Sequence, residues 1–226
     1  MKKLDLRTLV MLLCVASMVV FASCDNKGNE PDDPQGEGGA NTETPTPTDP
    51  YNGHAYVDLG LSVKWATCNV GADSVHHYGG YYAWGETTTK EAYTSENYTY
   101  AENPEVLPLD RDAAAVNMGG EWRMPTNAEI QELIDGCDWA TTTLKGVDGY
   151  IAISKANAAT IFFPAAGLYT PEGLTGAGAG AGVVFYSSTF NSDTEGFAFV
   201  GIPGVVAISI STGERCCGLP VRGVIK

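Results

Sequence analysis

The adjacent thiols of Cys216 and Cys217, next to Arg215, are the side chains of this sequence best placed for chemistry. A cation beside a thiol favours the thiolate, which is both nucleophile and metal ligand. Thiolate catalysis also needs a base. The three histidines, His54, His76 and His77, all lie in the N-terminal third of the chain, remote in sequence from these cysteines. The His76-His77 pair reads as loop surface in preference to a metal pair. The cysteines lack zinc-type spacing, and neither a Walker loop nor a dinucleotide fingerprint is present. Glu102, Glu105, Asp110 and Asp112 match no EF-hand spacing, so solvated surface is their simplest reading. No catalytic residue, no metal and no cofactor is expected.

A second group suits binding. Tyr81, Tyr82 and Trp84 fall in a glycine-rich, aromatic segment. Aromatic faces suit the C–H face of a sugar ring. The same rings equally suit a plug under a long loop. With Tyr186 and Ser188, these residues are the expected ligand-binding face, while Trp65, Trp122 and Trp139 are assigned to the core. The chain has 13 bases against 27 acids, a net charge of −14. Nucleic acid needs a cationic surface, so it is excluded as a partner.

The N-terminus supplies an address. Basic residues up to Arg7 precede thirteen residues, 9–21, of which only Ser17 is polar. That is a signal-peptide core, too short to span a bilayer comfortably. It ends in Phe21-Ala22-Ser23-Cys24, which resembles a bacterial lipobox and implies cleavage before Cys24 and lipidation of its thiol. The expected division is a signal peptide over 1–23, a lipidated cysteine and linker over 24–50, and one domain over 51–226. Residues 25–50 hold five prolines, four glycines, seven acids and one apolar residue, Ala40. Such a segment cannot bury enough surface to fold and spans roughly 25–30 Å as a flexible tether.

The elements that must position these groups are mostly strands. The exception is a helix over about 126–136. Thr126 and Glu129 form a capping-box pair, Ile130, Leu133, Ile134 and Cys137 share one face, and Gly136 stands where a helix would end. Alternation over 57–65 predicts a half-buried strand kinked at Gly60. A helical turn is expected over 113–116. Strands are expected over 150–153 and 160–163 around a turn, over 183–189, over 197–202 and 205–210 flanking Pro203-Gly204, and over 216–225. Residues 173–182 read as a Gly/Ala loop and 211–214 as a turn. The fold class is therefore α+β with a mostly antiparallel sheet.

Several motifs then resemble a known family: GHAYVDLGLSVKWATCNVGA at 53–72, YYAWGE at 81–86, WRMPT at 122–126 with its helix, IFFPAAG at 161–167, Tyr186-Ser187-Ser188, and Val221-Arg222. The chain is similar over nearly all of 51–226 to the Fibrobacter succinogenes major paralogous domain family (FISUMP). It departs from that family in reading Tyr186-Ser187-Ser188-Thr189 for a Trp-Ser-Ser-Ser stretch, and Gly223-Val224 for a closing Pro-Val. The resemblance implies a C-type-lectin-like fold in a Bacteroidetes-type lipoprotein at the outer membrane or cell surface. The calcium–sugar tripeptides of true C-type lectins are absent. Four cysteines remain after removal of Cys14 and lipidation of Cys24, namely Cys68, Cys137, Cys216 and Cys217, an even set with three possible connectivities. The resemblance implies Cys137 paired with Cys216 or Cys217. Neighbours in a strand point to opposite faces, so only one of the latter two is expected to face the helix.

These readings converge on a non-catalytic, monomeric binding module for a glycan or a surface protein, attached to the membrane only through its lipid. The alternatives are a structural or tip subunit of a fimbria or envelope assembly, and an oxidase resembling the formylglycine-generating enzymes. Asp73-Ser74-Val75 also resembles the short Bacteroidetes O-glycosylation motif, which makes Ser74 the candidate acceptor.

Overall fold

A computed structural model of the chain describes residues 50–176, 182–202 and 206–226. The signal segment, Cys24 and the linker lie outside these residues, as does the Pro203-Gly204 turn. The described chain forms thirteen strands in five small antiparallel sheets and two short α-helices. The expectation of an antiparallel α+β domain is met at that level. Among the described residues no helix is long and apolar enough to cross a membrane.

The strands are β1 (Tyr56–Val57), β2 (Lys64–Asn69), β3 (Tyr81–Tyr82), β4 (Cys137–Leu144), β5 (Val147–Ser154), β6 (Thr160–Pro164), β7 (Leu168–Thr170), β8 (Gly173–Thr175), β9 (Val183–Phe190), β10 (Glu195–Ile202), β11 (Val206–Glu214), β12 (Leu219–Pro220) and β13 (Arg222–Ile225). The helices are α1 (Ala113–Met118) and α2 (Asn127–Gly136). The sheets run β1-β2-β13, β11-β10-β9, β4-β5-β6, β3-β12 and β7-β8. Pairing of β13 with β2 brings the last strand against the first part of the domain.

The β9-β10-β11 sheet is the internal wall. Side chains alternate across a strand, so Val184 and Tyr186 of β9 enter one core while Val183 and Phe185 enter another. Burial on both faces explains the unbroken apolar run at its start. On one side α2 lays Ile130 and Leu133 into a core of Trp65, Phe163, Phe185 and Phe199. The Phe185 and Phe199 rings stack at 4.7 Å and 8°. On the other side lie Trp84, Trp122, Tyr186 and Leu219. Trp65 and Trp122 are buried as expected, and Trp139 is half-buried at the edge of the first core.

Helix α2 starts as the sequence predicts. Thr126 Oγ1 accepts from Glu129 N, and the Glu129 carboxylate accepts from Thr126 N at 2.8 Å. Its end differs. Gly136 is the last helical residue and Cys137 opens β4 in extended backbone. The helix packs closely there: a Cβ on Gly136 would stand 2.6 Å from Leu61 Cδ2, which would have to turn aside.

Four other expectations are corrected. Residues 58–63 leave the ladder between β1 and β2, because buried Leu59 and Val63 face the α2 core through a bend in place of a straight strand. Residues 173–175 pair with β7, so the predicted Gly/Ala loop begins with a strand. Residues 211–214 continue β11, paired with β10 through Glu214 opposite Glu195. The turn comes next, at Cys216 and Cys217, which are therefore not in a strand. The segment 138–149, unassigned from sequence, is most of the β4-β5 hairpin.

Candidate functional site

The expected binding face is overturned by burial. Tyr82, Trp84, Tyr186 and Ser188 are each at most 4% exposed. Their polar atoms are spent internally: Trp84 Nε1 donates to Ser187 O at 2.9 Å, and Ser188 Oγ donates to Pro125 O at 3.1 Å. Tyr81 is half-buried, its hydroxyl donating to Ala166 O at 2.6 Å and its ring set edge-on to Tyr169. Burial pushes the Tyr81, Tyr82 and Tyr186 phenols above their ordinary range. These rings plug the core, the second of the two readings their types allowed.

A cleft of about 330 Å³ lies where the Ser95–Tyr98 region, the 193–194 turn and the end of β11 meet. Ser95, Tyr98, Asp193, Thr194, Glu214, Arg215 and Cys216 line it. Arg215 builds the wall. Its backbone is fixed from both sides, its N–H donating to Thr194 O and its carbonyl accepting from Trp84 N, each at 2.9 Å. Its guanidinium donates to Tyr98 Oη, Asn103 Oδ1, Tyr100 O and Glu102 O at 2.8–3.0 Å. The guanidinium also packs over the Trp84 ring at 4.4 Å, a cation–π contact strengthened by desolvation. The planar fork thereby ties the loop 98–103 to the end of β11. Gly85 opens the space: at φ +77°, a Cβ would meet Tyr100 Cδ1 at 2.0 Å. Glu86 secures the same loop by accepting from Thr99 N at 2.8 Å and pairing with Lys90 at 2.5 Å.

The cleft combines apolar surface with polar groups at its rim. Tyr98 contributes a half-buried ring whose phenol is pushed up to about 12 by burial, against the lowering effect of Arg215. Ser95, Asp193 and Thr194 are exposed. Asn103 Nδ2 donates to Asp193 Oδ1 at 2.7 Å, orienting that carboxylate. Sequence reasoning noticed Arg215 and Cys216 but missed Ser95, Tyr98, Asp193, Thr194 and Glu214. Only Asn191-Ser192-Asp193 carried a local signal, that of a turn.

Cys68, Cys137, Cys216 and Cys217 are free thiols. The pairing implied by resemblance is not formed, and Cys137 and Cys217 belong to the two different cores. Burial pushes the Cys137 thiol up to about 11. Cys216 and Cys217 are the last two residues of one turn, 214–217, closed by Cys217 N donating to Glu214 O at 3.0 Å. Tyr186 Oη lies beneath this turn, 2.6 Å from Glu214 O and 3.2 Å from Cys217 O. Cys216 Sγ donates to Glu214 Oε2 at 3.9 Å, and the neighbouring Cys217 thiol lowers the Cys216 pKa while its own is raised.

The remaining candidates scatter. Ser74 is half-buried in a turn whose carbonyl accepts from His77 N. His77 Nδ1 lies 2.5 Å from Asp73 Oδ1 in that surface turn, beside His76. Glu102, Glu105 and Asp110 are exposed as expected. Asp112 is not: at 1% exposure it caps α1, accepting from Ala114 N and Ala115 N at 2.9 Å and from Met124 N at 2.8 Å. Comparison with protein-family models, with curated proteins and with solved structures finds no match for the chain.

Proposed function

We propose that this chain is a lipid-anchored surface protein of FISUMP type whose C-type-lectin-like domain binds a glycan without catalysis. The observation that carries the reading is the Arg215 cleft. It joins a half-buried tyrosine ring to exposed hydroxyls at Ser95 and Thr194 and to carboxylates at Asp193 and Glu214. A sugar asks for one apolar platform and several convergent hydrogen-bonding groups. The fold assignment is supported by the small antiparallel sheets, the ten-residue helix α2 and the pairing of early and last strands. The anchor rests on the Phe21-Ala22-Ser23-Cys24 motif. On this reading the protein sits at the outer membrane or cell surface, held in the bilayer by its own lipid.

The test is a glycan array probed with the chain from Asp25 onward, beside Ser95→Ala and Asp193→Ala variants. Both positions are exposed, so the variants should fold. Reproducible binding that weakens at least about tenfold in each variant, the loss expected of one or two hydrogen bonds to a bound ligand, supports the cleft. A blank array from folded protein, or binding indifferent to both changes, removes the sugar reading. Metabolic labelling with a radioactive fatty acid, lost in Cys24→Ser, tests the anchor separately.

A further inference from the structure

The end of β11 gathers three donors that no sequence spacing announced. One oxygen of Glu214 and the Sγ atoms of Cys216 and Cys217 lie within 4.8 Å of one another. Two neighbouring cysteines in a strand would point apart. Here the chain turns, with Cys217 N bound to Glu214 O, and both sulfurs come to the same side as the carboxylate. The turn is braced from below by Tyr186 Oη on the carbonyls of Glu214 and Cys217. It is braced at its side by the many contacts of Arg215. The donors are therefore carried on rigid backbone, and two of them, Glu214 and Cys216, open onto the cleft.

We propose that Glu214, Cys216 and Cys217 form a binding site for a thiophilic divalent cation of the Zn2+ class. Zinc takes sulfur at about 2.3 Å and carboxylate oxygen at about 2.0–2.2 Å in tetrahedral array, which sets its ligand atoms about 3.5–3.8 Å apart. Donors already within 4.8 Å reach that spacing by side-chain rotation of about 1 Å. The ligand set selects the ion. Two thiolates disfavour Ca2+ and Mg2+, which take oxygen, while the carboxylate disfavours Cu(I), which takes sulfur. Three protein ligands leave a fourth position, and the cleft gives it access to water. Cys216 being half-buried and Cys217 buried gives the ion an entry side and a dry side. This inference does not depend on the cleft taking a sugar, since the ion is measured on the protein alone.

The test uses the reduced full chain in detergent, titrated with Zn2+ alone by calorimetry and with Cd2+ alone by thiolate-to-metal charge-transfer absorption. One ion per chain is expected at this site. Removing an outer-shell partner costs about 10–100-fold in metal affinity, so Cys216→Ser and Cys217→Ser should each cost more than that. Glu214→Gln should cost at least about tenfold, and Cys68→Ser should cost nothing. Failure of the reduced chain to bind either ion, or binding that survives loss of both cysteines, overturns the site. Because a serine variant can lose its fold, the unmutated protein supplies a second readout. Zn2+ should block alkylation of Cys216 and leave that of Cys68 unchanged, each followed by peptide mass spectrometry. Equal alkylation of Cys216 with and without Zn2+ also overturns it.

Discussion

Arg215 and Trp84 hold each other twice: Trp84 N donates to the Arg215 carbonyl at 2.9 Å, and the Arg215 guanidinium lies 4.4 Å over the Trp84 ring. Arg215 is 1% exposed, and four further acceptors on the loop 98–103 converge on it. Truncation leaves the buried carbonyl of Tyr100 and the part-buried hydrogen bond to Glu102 O without their donor. Hydrogen bonds to a charged group are worth about 1.5–3 kcal/mol each, so Arg215→Ala should lose about 3 kcal/mol or more in urea unfolding. Arg215→Lys keeps the charge without the planar fork and should recover only a minor part. A loss below about 1 kcal/mol for Arg215→Ala, less than one such bond, would show that the loop is held by other means.

Tyr186 bears on the same turn from below. Its ring is buried and its hydroxyl meets both Glu214 O and Cys217 O. Tyr186→Phe keeps the ring and removes the donor. A buried carbonyl without its partner costs about 1–3 kcal/mol, and that is the expected loss. Amide exchange should quicken at Cys217, whose N–H closes the turn, and stay unchanged at Ile130 N in α2. Uniform quickening at both would mean that the hydroxyl supports the whole domain and has no local role.

Two carboxylates should give stability opposite pH dependences. Burial raises the Asp112 pKa to about 6, although three backbone N–H groups favour its charged form. Its folded value lies above its unfolded value, so the protonated state is the better buried one. The stability it contributes is fully present below about pH 4, the unfolded value, and is lost as pH rises through about 6. Glu129 runs the other way. Burial alone raises it, but the Arg123 fork and the Thr126 N–H outweigh burial and hold it below the usual carboxylate range. Its contribution is present above the unfolded value and lost as pH falls through the depressed folded one. Urea midpoints from pH 3 to 8 should therefore show Asp112→Asn flattening the fall between about 4 and 6. Glu129→Gln should flatten only the acid limb. A profile unchanged by Asp112→Asn would contradict the first assignment.

Periodicity reads local structure well and burial poorly in this chain. The capping box at Thr126 and Glu129 was legible because both partners lie within one turn of α2. The β5-β6 pairing was legible because short apolar runs flank a polar turn. Trp84 was not legible as core, because an aromatic residue in a glycine-rich loop has the same local signature whether its ring meets solvent or an arginine 131 positions downstream. Tyr186 was not, because a strand has two faces and its sequence does not say that both are covered. The cleft was equally hidden. Ser95, Asp193 and Glu214 are brought together only by the fold, and exposed polar residues carry no period. Cys216 and Cys217 were misplaced because 216–225 reads as one continuous strand, whereas β11 ends at Glu214 and a turn follows.

The four domain thiols should separate by reactivity, which tests that placement directly. A thiolate is the reacting species. Cys137 is 2% exposed and its thiol is pushed up to about 11 by burial, so it should resist alkylation in the folded protein. Cys216 lines the cleft, and the neighbouring Cys217 thiol, acting as a donor toward it, lowers its pKa. It should be modified faster than Cys137 near pH 7. Cys217→Ala removes that donor, so the Cys216 pKa should rise and its rate at pH 7 should fall, with the difference vanishing at high pH where every accessible thiol is ionised. The measurement is the pH profile of iodoacetamide incorporation at each cysteine by mass spectrometry. If Cys217→Ala leaves the Cys216 profile unmoved, the hydrogen bond between these neighbours is not what sets its ionisation. If Cys137 reacts as quickly as Cys216, Cys137 is not buried at the start of β4.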